Sequence, residues 1–409
     1  MEQLEDSVLL QLDQLPPEIL HHVATFLSPE DICNLRITSH FFLNVCDSEA
    51  IWCWFCKHQY GLSWSKTDSV SQRIYYQNFL YKYGKLIGLW QRQNVKYYSD
   101  LVCVSLDKGD KTIKIEHLMP KPDVFENVTR KLFLTISFNS PRSENEVIES
   151  TIEDALVGPT RARVKIYIND DDETELIVAV PNLTDYVASP AEWRKLLEDF
   201  QAWDTTSDTE MALLKFVSFY QSRDCHAYLP TNTQEWTTKY HGHHQSNTPI
   251  LKSIKPGVFT GNYSAHGIEM IHIMDGQGVK MTGDPNVPFN QVTFRVINPD
   301  IIDIRLENQE TVEGLQSVLD DFESYCVPFD PNKEGRYGFK IPDGMHHEEK
   351  TKPKYSSCIG RWVAEAQVAW HNFQNPQFIK AYFILFSDDE CAVMFLELNS
   401  IAFYHRSNV

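Results

Sequence analysis

The sequence predicts an α+β protein in which three short helices and a helical linker precede a mainly β body of two barrel-like motifs with a few helices. Three observations carry this expectation. Apolar residues recur at helical spacing up to about Trp90 and alternate in strand fashion from about Lys96 onward. The strand-like runs fall into two groups of comparable length with two helical stretches between them. The 409 residues, 42% hydrophobic and 12% aromatic, suffice for two or three domains with a sizeable core, which excludes wholesale disorder.

The expected boundaries are residues 1–58 for the front helices, 59–95 for the linker, 96–249 for the first β motif with its two helices, and 250–409 for the second. Pro16 and Pro17 mark the start of the first helix. Its Ile19, Leu20, Val23, Phe26 and Leu27 follow i, i+1, i+4, i+7, i+8 and make one broad apolar face. The second helix opens on Ser28-Pro29-Glu30-Asp31. Here Ser28 caps an orphan amide, Pro29 forfeits no hydrogen bond, and the two acids suit the positive end of the helix dipole. Ile32, Leu35, Phe41, Phe42, Val45, Ile51 and Trp52 follow within about forty residues. At about 25 cal/mol per Å² of buried apolar area, so short a cluster gains too little to offset its ordering entropy. Something else should cover part of it, either the β body of the same chain or a second polypeptide.

In the first β motif the runs "VKYYSDLVCVSL", "KTIKIEHL", "KLFLTISF", "RARVKIYI" and "TELIVAV" are β-branched or aromatic and separated by Asp, Gly, Asn and Pro. Helical signals return in "SPAEWRKLLEDFQAW", with Trp193, Leu196, Leu197 and Phe200 on one face, and in "TEMALLKFVSFY". Beyond Pro249 strands resume in "GVFTGNYSAHGIEMIHIM", "GVKMTG", "QVTFRVI", "WVAEAQVAW" and "AYFILFSDDECAVMFLELNSIAFYHR". Residues 307–357 are more polar and rich in turn formers, and read as a mobile insertion. Glycines 257, 261, 267, 276, 278 and 283 permit the bends that curl a sheet and open its rim.

The net charge of −19 opposes phosphate backbones and anionic lipid heads, so neither nucleic acid nor membrane is expected as a partner. The N-terminus has no basic segment followed by an apolar one, and no apolar run approaches a membrane span, which places the chain in the cytoplasm and/or nucleus. Nine cysteines without a disulfide rhythm suit a reducing compartment. On that reading the sequons at Asn127, Asn182 and Asn262 are chance matches. No cofactor or metal is expected. Cys53-x-x-Cys56 lacks the second half of a zinc site, and Cys225, His226, His241, His243 and His244 fit no standard metal signature. Gly276-Gln-Gly278 lacks the third glycine of a dinucleotide turn, and Asp170-Asp171-Asp172-Glu173 reads as a solvated turn.

Leu15-Pro16, Ile19-Leu20, Val23, Leu27, Ile32, Leu35 and Ile51-Trp52, together with Phe26, Asp31, Ser39, Phe41 and Phe42, resemble the F-box in order and spacing; Ile37-Thr38-Ser39 departs from its usual Val-Cys or Val-Ser pair. The resemblance implies a helical adaptor whose apolar face docks on Skp1 through Leu15, Pro16, Ile19, Leu20, Val23, Leu27, Ile32, Leu35, Ile51 and Trp52. It further implies a noncatalytic receptor subunit of an SCF ubiquitin ligase, reaching cullin 1 and a RING subunit through Skp1, with catalysis by proximity. An F-box scaffold that binds a regulatory partner without directing its degradation is the alternative, and an enzyme with an unrecognised site in the second barrel is a third reading.

"KPGVFTGNYSAHGIEMI", "KMTGDPNVPFNQVTF", "YFILFSDDECAVMFLELNSIAFYHR" and the Gly88-Leu89-Trp90 entry resemble the F-box only protein 31 type of receptor. That resemblance implies two β-barrel motifs, with an open cavity in the second that takes the C-terminal tail of a substrate, among them D-type cyclin tails and chains ending in an amide. The candidate pocket residues are Phe259, Tyr263, His266, Thr282, Asp284, Asn286, Trp370, His371 and Phe373. Thr282-Gly283-Asp284-Pro285-Asn286 is also a turn sequence in which Asp284 simply makes an Asx-turn. If its carboxylate faces the cavity instead, it accepts hydrogen bonds only, favouring a terminal amide over a terminal carboxylate. Burial, or a donor such as His266, Lys255 or Arg295, would weaken that preference.

Overall fold

The computed structural model describes residues 12–64, 70–93, 96–121, 128–138, 255–263, 266–328, 336–346 and 355–409, together with short strands at 150–154, 167–168, 174–178 and 226–230. The chain divides into two compact units, residues 1–87 with 104–114 and 134–153, and residues 88–103 with 115–133 and 154–409. No helix among the described residues is long and apolar enough to cross a membrane.

The first unit opens with four helices, α1 (Pro17–Ala24), α2 (Pro29–Arg36), α3 (His40–Cys46) and α4 (Glu49–Tyr60). Their ends follow from local chemistry. Ser28, Ser39 and Ser48 cap the last three by accepting from the amides of Asp31, Phe42 and Ala50, and α4 stops at Gly61 in the left-handed conformation. The Ser28-Pro29 start expected from sequence is therefore present. Leu20, Ala24, Ile32, Val45, Ile51, Trp52 and Phe55 are buried, and the Trp52 indole donates to the Cys46 carbonyl at 2.8 Å. Cys56 lies in this core, where burial pushes its thiol up to about 12, a packing role for half of the Cys53-x-x-Cys56 pair. A further helix, α5 (Gln72–Tyr75), runs into a π-helical stretch, Tyr76–Leu80, placing Tyr76 against Trp52 at 5.4 Å between ring centroids.

Among the described residues the β body holds twenty strands. β1 (Gly88–Arg92), β2 (Leu101–Asp107), β3 (Thr112–Met119), β4 (Thr129–Phe138), β5 (Ser150–Asp154), β6 (Tyr167–Ile168), β7 (Thr174–Val178) and β8 (His226–Pro230) form one sheet in the order β5-β4-β3-β2-β1-β8-β7-β6. Among the described residues this sheet has two ends, so the first expected barrel is seen as a sheet without closure. β1 begins at Gly88, inside the stretch assigned to the linker. The two helices expected at "SPAEWRKLLEDFQAW" and "TEMALLKFVSFY" lie outside the described residues, as do Cys225, His241, His243 and His244.

The second sheet closes. β9 (Gly257–Asn262), β10 (Ile268–Met274), β11 (Gln277–Lys280), β12 (Val292–Val296), β17 (Gly360–Trp370), β18 (Gln374–Ser387), β19 (Glu390–Phe395) and β20 (Ser400–Arg406) make an eight-stranded barrel in the order β10-β11-β12-β17-β18-β19-β20-β9. The short strands β13 (Ile301–Ile302), β14 (Cys326–Val327), β15 (Tyr337–Gly338) and β16 (Ser357–Cys358) pair as two small ribbons. The period of two sorts the barrel side chains. Phe259, Ile271, Phe294, Trp362, Ala364, Ala366, Phe383, Val393 and Tyr404 share one core, while Val363, Tyr382, Ile384, Ala392, Met394, Ile401 and Phe403 form a second on the other face. Alanines in β17 make room for the Phe294 and Phe383 rings, which stack at 5.4 Å.

That second core corrects the expectation of a mobile insertion over 307–357 for the described residues 307–328 and 336–346. α6 (Val312–Asp320) is capped by Thr311 and sinks Leu315, Val318 and Leu319 into the barrel's outer core. The i, i+3, i+4 stripe of α6 was masked in sequence by polar neighbours such as Glu313, Gln316 and Asp320. Leu315→Ala should therefore cost about 2–5 kcal/mol of stability in urea unfolding, as for a core leucine; a near-neutral result would mean that α6 is loosely held.

Candidate functional site

At one end of the closed barrel lies a cavity of about 600 Å³. Its polar lining includes Tyr263, His266, Lys280, Asp284, Asn286 and Gln367, and its apolar lining includes Val368, Phe395 and Ala402. Four residues expected from sequence are thus brought together: Tyr263 and His266 follow β9, and Asp284 and Asn286 follow β11. The other five stand elsewhere. Phe259 is buried in the barrel core beneath the Arg406 guanidinium, which sits 4.5 Å from its ring centroid. The Thr282 hydroxyl accepts from the Met270 amide at 3.0 Å, so it fastens the loop to β10. Trp370 and His371 lie exposed at the tip between β17 and β18, Trp370 by 71%. Phe373 is half-buried and donates its amide to the Pro285 carbonyl at 2.8 Å, which braces the Asp284 loop.

The loop is set by the chain around Asp284. Gly283 takes a φ of +68°, and a Cβ there would overlap the backbone nitrogen of Phe289 and lie 2.7 Å from the Tyr97 carbonyl. No other residue fits that approach. Asp284 Oδ1 accepts from the amides of Asn286 at 2.6 Å and Val287 at 2.9 Å, the Asx-turn anticipated from sequence. Its Oδ2 pairs with the Lys280 ammonium, and the Asn286 side chain donates to the Ala369 carbonyl at 2.8 Å. Asp284 therefore both makes the turn and lines the cavity, and most of its acceptor capacity is already engaged.

Sequence reasoning missed Lys280 and Glu269 beneath this loop. Glu269 shares a face of β10 with the core residues Ile271 and Ile273, and Lys280 lies directly opposite Ile271 on β11. Both side chains are 1% exposed, and their N···O distance is 2.8 Å. The signal was present: a Glu in "GIEMIHIM" and a Lys in "GVKMTG" interrupt apolar strands that pair as one hairpin. Burial opposes the charge on each group. It pushes the Glu269 carboxyl up to about 8, beyond what Lys280 offsets, with the Asp284 charge adding to the rise. For Asp284 burial also pushes upward, but Lys280 and His266 more than compensate and hold it well below the usual carboxylate range. For Lys280 the two carboxyls outweigh burial and hold the ammonium well above its ordinary value. Burial thus disfavours charge on Glu269, while Lys280 and Asp284 favour charge on each other.

The first unit offers a different kind of surface. Ile19, Val23 and Phe26 lie at i, i+4 and i+7 and are exposed by 48%, 40% and 76%, with Ile37 and Phe41 also exposed. Of the remaining docking candidates, Pro16 is exposed, Leu15, Leu27 and Leu35 are half-buried, and Leu20, Ile32, Ile51 and Trp52 are buried between the helices. α1 therefore has two apolar stripes, one holding the helices together and one open.

Residues 12–58, which contain these helices, match the F-box-like family, and residues 239–409, which contain the closed barrel, match the Cyclin D1 binding domain family. The chain thus carries an F-box-like region ahead of a largely β body. It resembles F-box only protein 31 over nearly its whole length, at 25% identity to the Mus musculus protein, covering 96% of this chain and 84% of that one. The Homo sapiens protein is 24% identical with 96% and 82% covered, and F-box only protein 31-B of Xenopus laevis is 25% identical with 96% and 83% covered.

The Glu269 carboxyl gives a stability signature with a definite sign. Folded, it holds its proton up to about pH 8; unfolded, it loses it near the ordinary glutamate value of about 4.3. Between those limits the native state binds the extra proton, so stability falls as pH rises. Glu269→Gln should remove a slope of up to about 1.4 kcal/mol per pH unit from urea unfolding measured between pH 5 and 8, and an unchanged slope would place the proton elsewhere.

Proposed function

We propose that this chain is the substrate-recognition subunit of an SCF (Skp1–cullin 1–F-box) ubiquitin ligase, noncatalytic in itself, which presents target proteins for ubiquitination and proteasomal degradation. The observation that carries the reading is the coincidence of the F-box-like match at residues 12–58 with the open stripe of Ile19, Val23 and Phe26. Exposed apolar side chains in a row mark a surface that another protein covers, and Skp1 is the partner that an F-box implies, with cullin 1 and the RING subunit reached through it. Bringing target and conjugating enzyme together then supplies the rate through proximity, and no nucleophile of this chain is required.

The cavity in the closed barrel is the proposed substrate site, and a C-terminal tail is its proposed occupant. A space of about 600 Å³ suits the end of a chain better than an extended surface. The Cyclin D1 binding domain match covers every lining residue, which supports cyclin-like tails as one target class. Amide-ended tails are a second, because the wall offers acceptors. The buried free thiols of Cys46, Cys56, Cys358 and Cys391 support a reducing compartment, the cytoplasm or the nucleus.

Two measurements test these halves separately. Ile19→Asp combined with Val23→Asp changes exposed positions, so the fold should survive while co-purification with co-expressed Skp1 is lost by at least about tenfold. A Skp1 complex that persists would remove the adaptor reading. For the cavity, Ala402→Trp narrows the barrel mouth and should abolish retention of a synthetic cyclin D1 C-terminal peptide without affecting Skp1. Retention unchanged in a folded variant would move the substrate site elsewhere.

A further inference from the structure

The hairpin of β17 and β18 runs past the closed part of the barrel. β19 joins β18 only from Ala381 onward, so among the described residues the stretch 374–380 pairs with β17 alone. At the tip of this finger Trp370 stands opposite Gln374 and is 71% exposed, more than any other large apolar side chain described in the second unit.

On a loose loop such exposure would mean little, but this tip is held from three sides. The Tyr97 hydroxyl donates to Asn372 Oδ1 at 2.7 Å, the Phe373 amide to the Pro285 carbonyl at 2.8 Å, and the Asn286 side chain to the Ala369 carbonyl at 2.8 Å. The backbone that carries Trp370 is therefore ordered before any partner arrives, and covering the ring removes apolar surface from water at little further cost in chain entropy. A large aromatic presented in this way has the character of an interface anchor.

Three observations indicate what covers it. Gln367, Val368 and Ala369, which directly precede Trp370 on β17, line the cavity, whereas Trp370 lies outside the lining. A chain leaving the cavity along β17 reaches the ring within a few residues, at about 3.3 Å per residue. Next, residues 366–379 contain no Asp, Glu, Lys or Arg, in a chain that is 23% charged. A charged side chain seated there would find no counter-charge on the finger, while the exposed Gln374 and Gln377 amides can hydrogen-bond a peptide backbone. Finally, Phe378, the other exposed aromatic of the finger, already carries the Arg295 guanidinium 4.5 Å from its ring centroid, and Arg295 is paired with Glu365. Trp370 is the aromatic left open.

We infer that Trp370 is the seat of an upstream subsite, which takes an apolar side chain from the extended, uncharged stretch of a substrate just before the tail held in the cavity. This subsite rests on the tail-binding reading above. The cavity then holds the tail, and the finger reads the sequence that precedes it.

The experiment uses the full chain at pH 8, where an ordinary histidine such as His371 is neutral, with affinities read by fluorescence anisotropy. Three synthetic peptides share roughly the last five residues of cyclin D1. One is that short peptide alone, the second adds about ten upstream residues with leucine at every third position among serine and asparagine, and the third has each of those leucines changed to serine. The leucine-extended peptide should bind about tenfold tighter than the other two. Trp370→Ala should remove that advantage and leave the short peptide within about twofold, and Trp370→Tyr, which keeps an aromatic face, should retain most of it. Trp370→Gln replaces the alanine variant if thermal melting shows the latter unfolded. An advantage that is absent in the unsubstituted chain, that survives Trp370→Ala, or that is lost together with binding of the short peptide would overturn the subsite while leaving tail binding intact. A concentration-dependent dimer of the unsubstituted chain in sedimentation, lost in Trp370→Ala, would assign the ring to a second copy and overturn it as well. If none of the three peptides binds the unsubstituted chain, the tail-binding reading fails and takes this subsite with it.

Discussion

A lysine ammonium sealed between two carboxyl groups inside an apolar barrel is the constraint on which the rest of the site depends. Taking such charges out of water costs several kcal/mol per ion, and their attraction offsets that only when each partner is held in place. Lys280 meets that condition with Glu269 at 2.8 Å, with Asp284, and with the face of Tyr263. Asp284 in turn is held by two amides of its own loop, and Gly283 permits the approach to Phe289 and Tyr97 that folds this loop back. The rim of the cavity is therefore fixed from below by electrostatics and from behind by backbone contacts. Removing Lys280 or Asp284 would leave an uncompensated buried charge.

Within the second unit, residues of both sheets share this dependence. Leu89, Leu101, Cys103 and Leu118 of the first sheet pack with Val258, Met270 and Met281 of the closed barrel. The Gln91 side chain donates to the Met281 carbonyl at 2.8 Å, and the Ser99 amide donates to the Thr282 carbonyl at 2.7 Å. Both acceptors lie on the short segment between Lys280 and Asp284. The first sheet thus presses on the back of the loop that forms the rim, which gives the segment from Gly88 to Ser99 a role in shaping the site although it supplies no lining residue.

What was legible in the sequence follows from which signals are local. The capped start at Ser28-Pro29 and the strand runs of the second barrel are written in a few consecutive residues, and the structure has them. The Asx-turn at Asp284 is likewise local, as is the joint placement of Tyr263 and His266 just after β9. What failed was non-local. Whether Phe259 points into the core or towards a ligand depends on strand register, since one residue of slip exchanges the two faces. Trp370 and His371 were assigned to a wall because of their aromatic character, but the turn through Asn372 at a φ of +62° carries them out to the hairpin tip. Lys280 was overlooked for the opposite reason. A lysine reads as surface until its strand is paired with the one bearing Glu269, and only the closed barrel shows that both point inward.

The overall acidity of the chain sharpens what this cluster must achieve. At a net charge of −19, the long-range field works against any anionic tail before it reaches the barrel. That field is screened beyond about 8–10 Å at physiological ionic strength, so it bears mainly on encounter. Inside the cavity, screening is weak and single charges dominate. On the tail-binding proposal, a chain end, which ordinarily carries a carboxylate, meets charge compensation only from groups at the seat itself. A buried lysine shared by two acids supplies that compensation without exposing a positive charge that would draw acidic ligands of other kinds. Because Gln367 adds an uncharged acceptor to the same wall, such compensation also leaves room for ends that carry no charge.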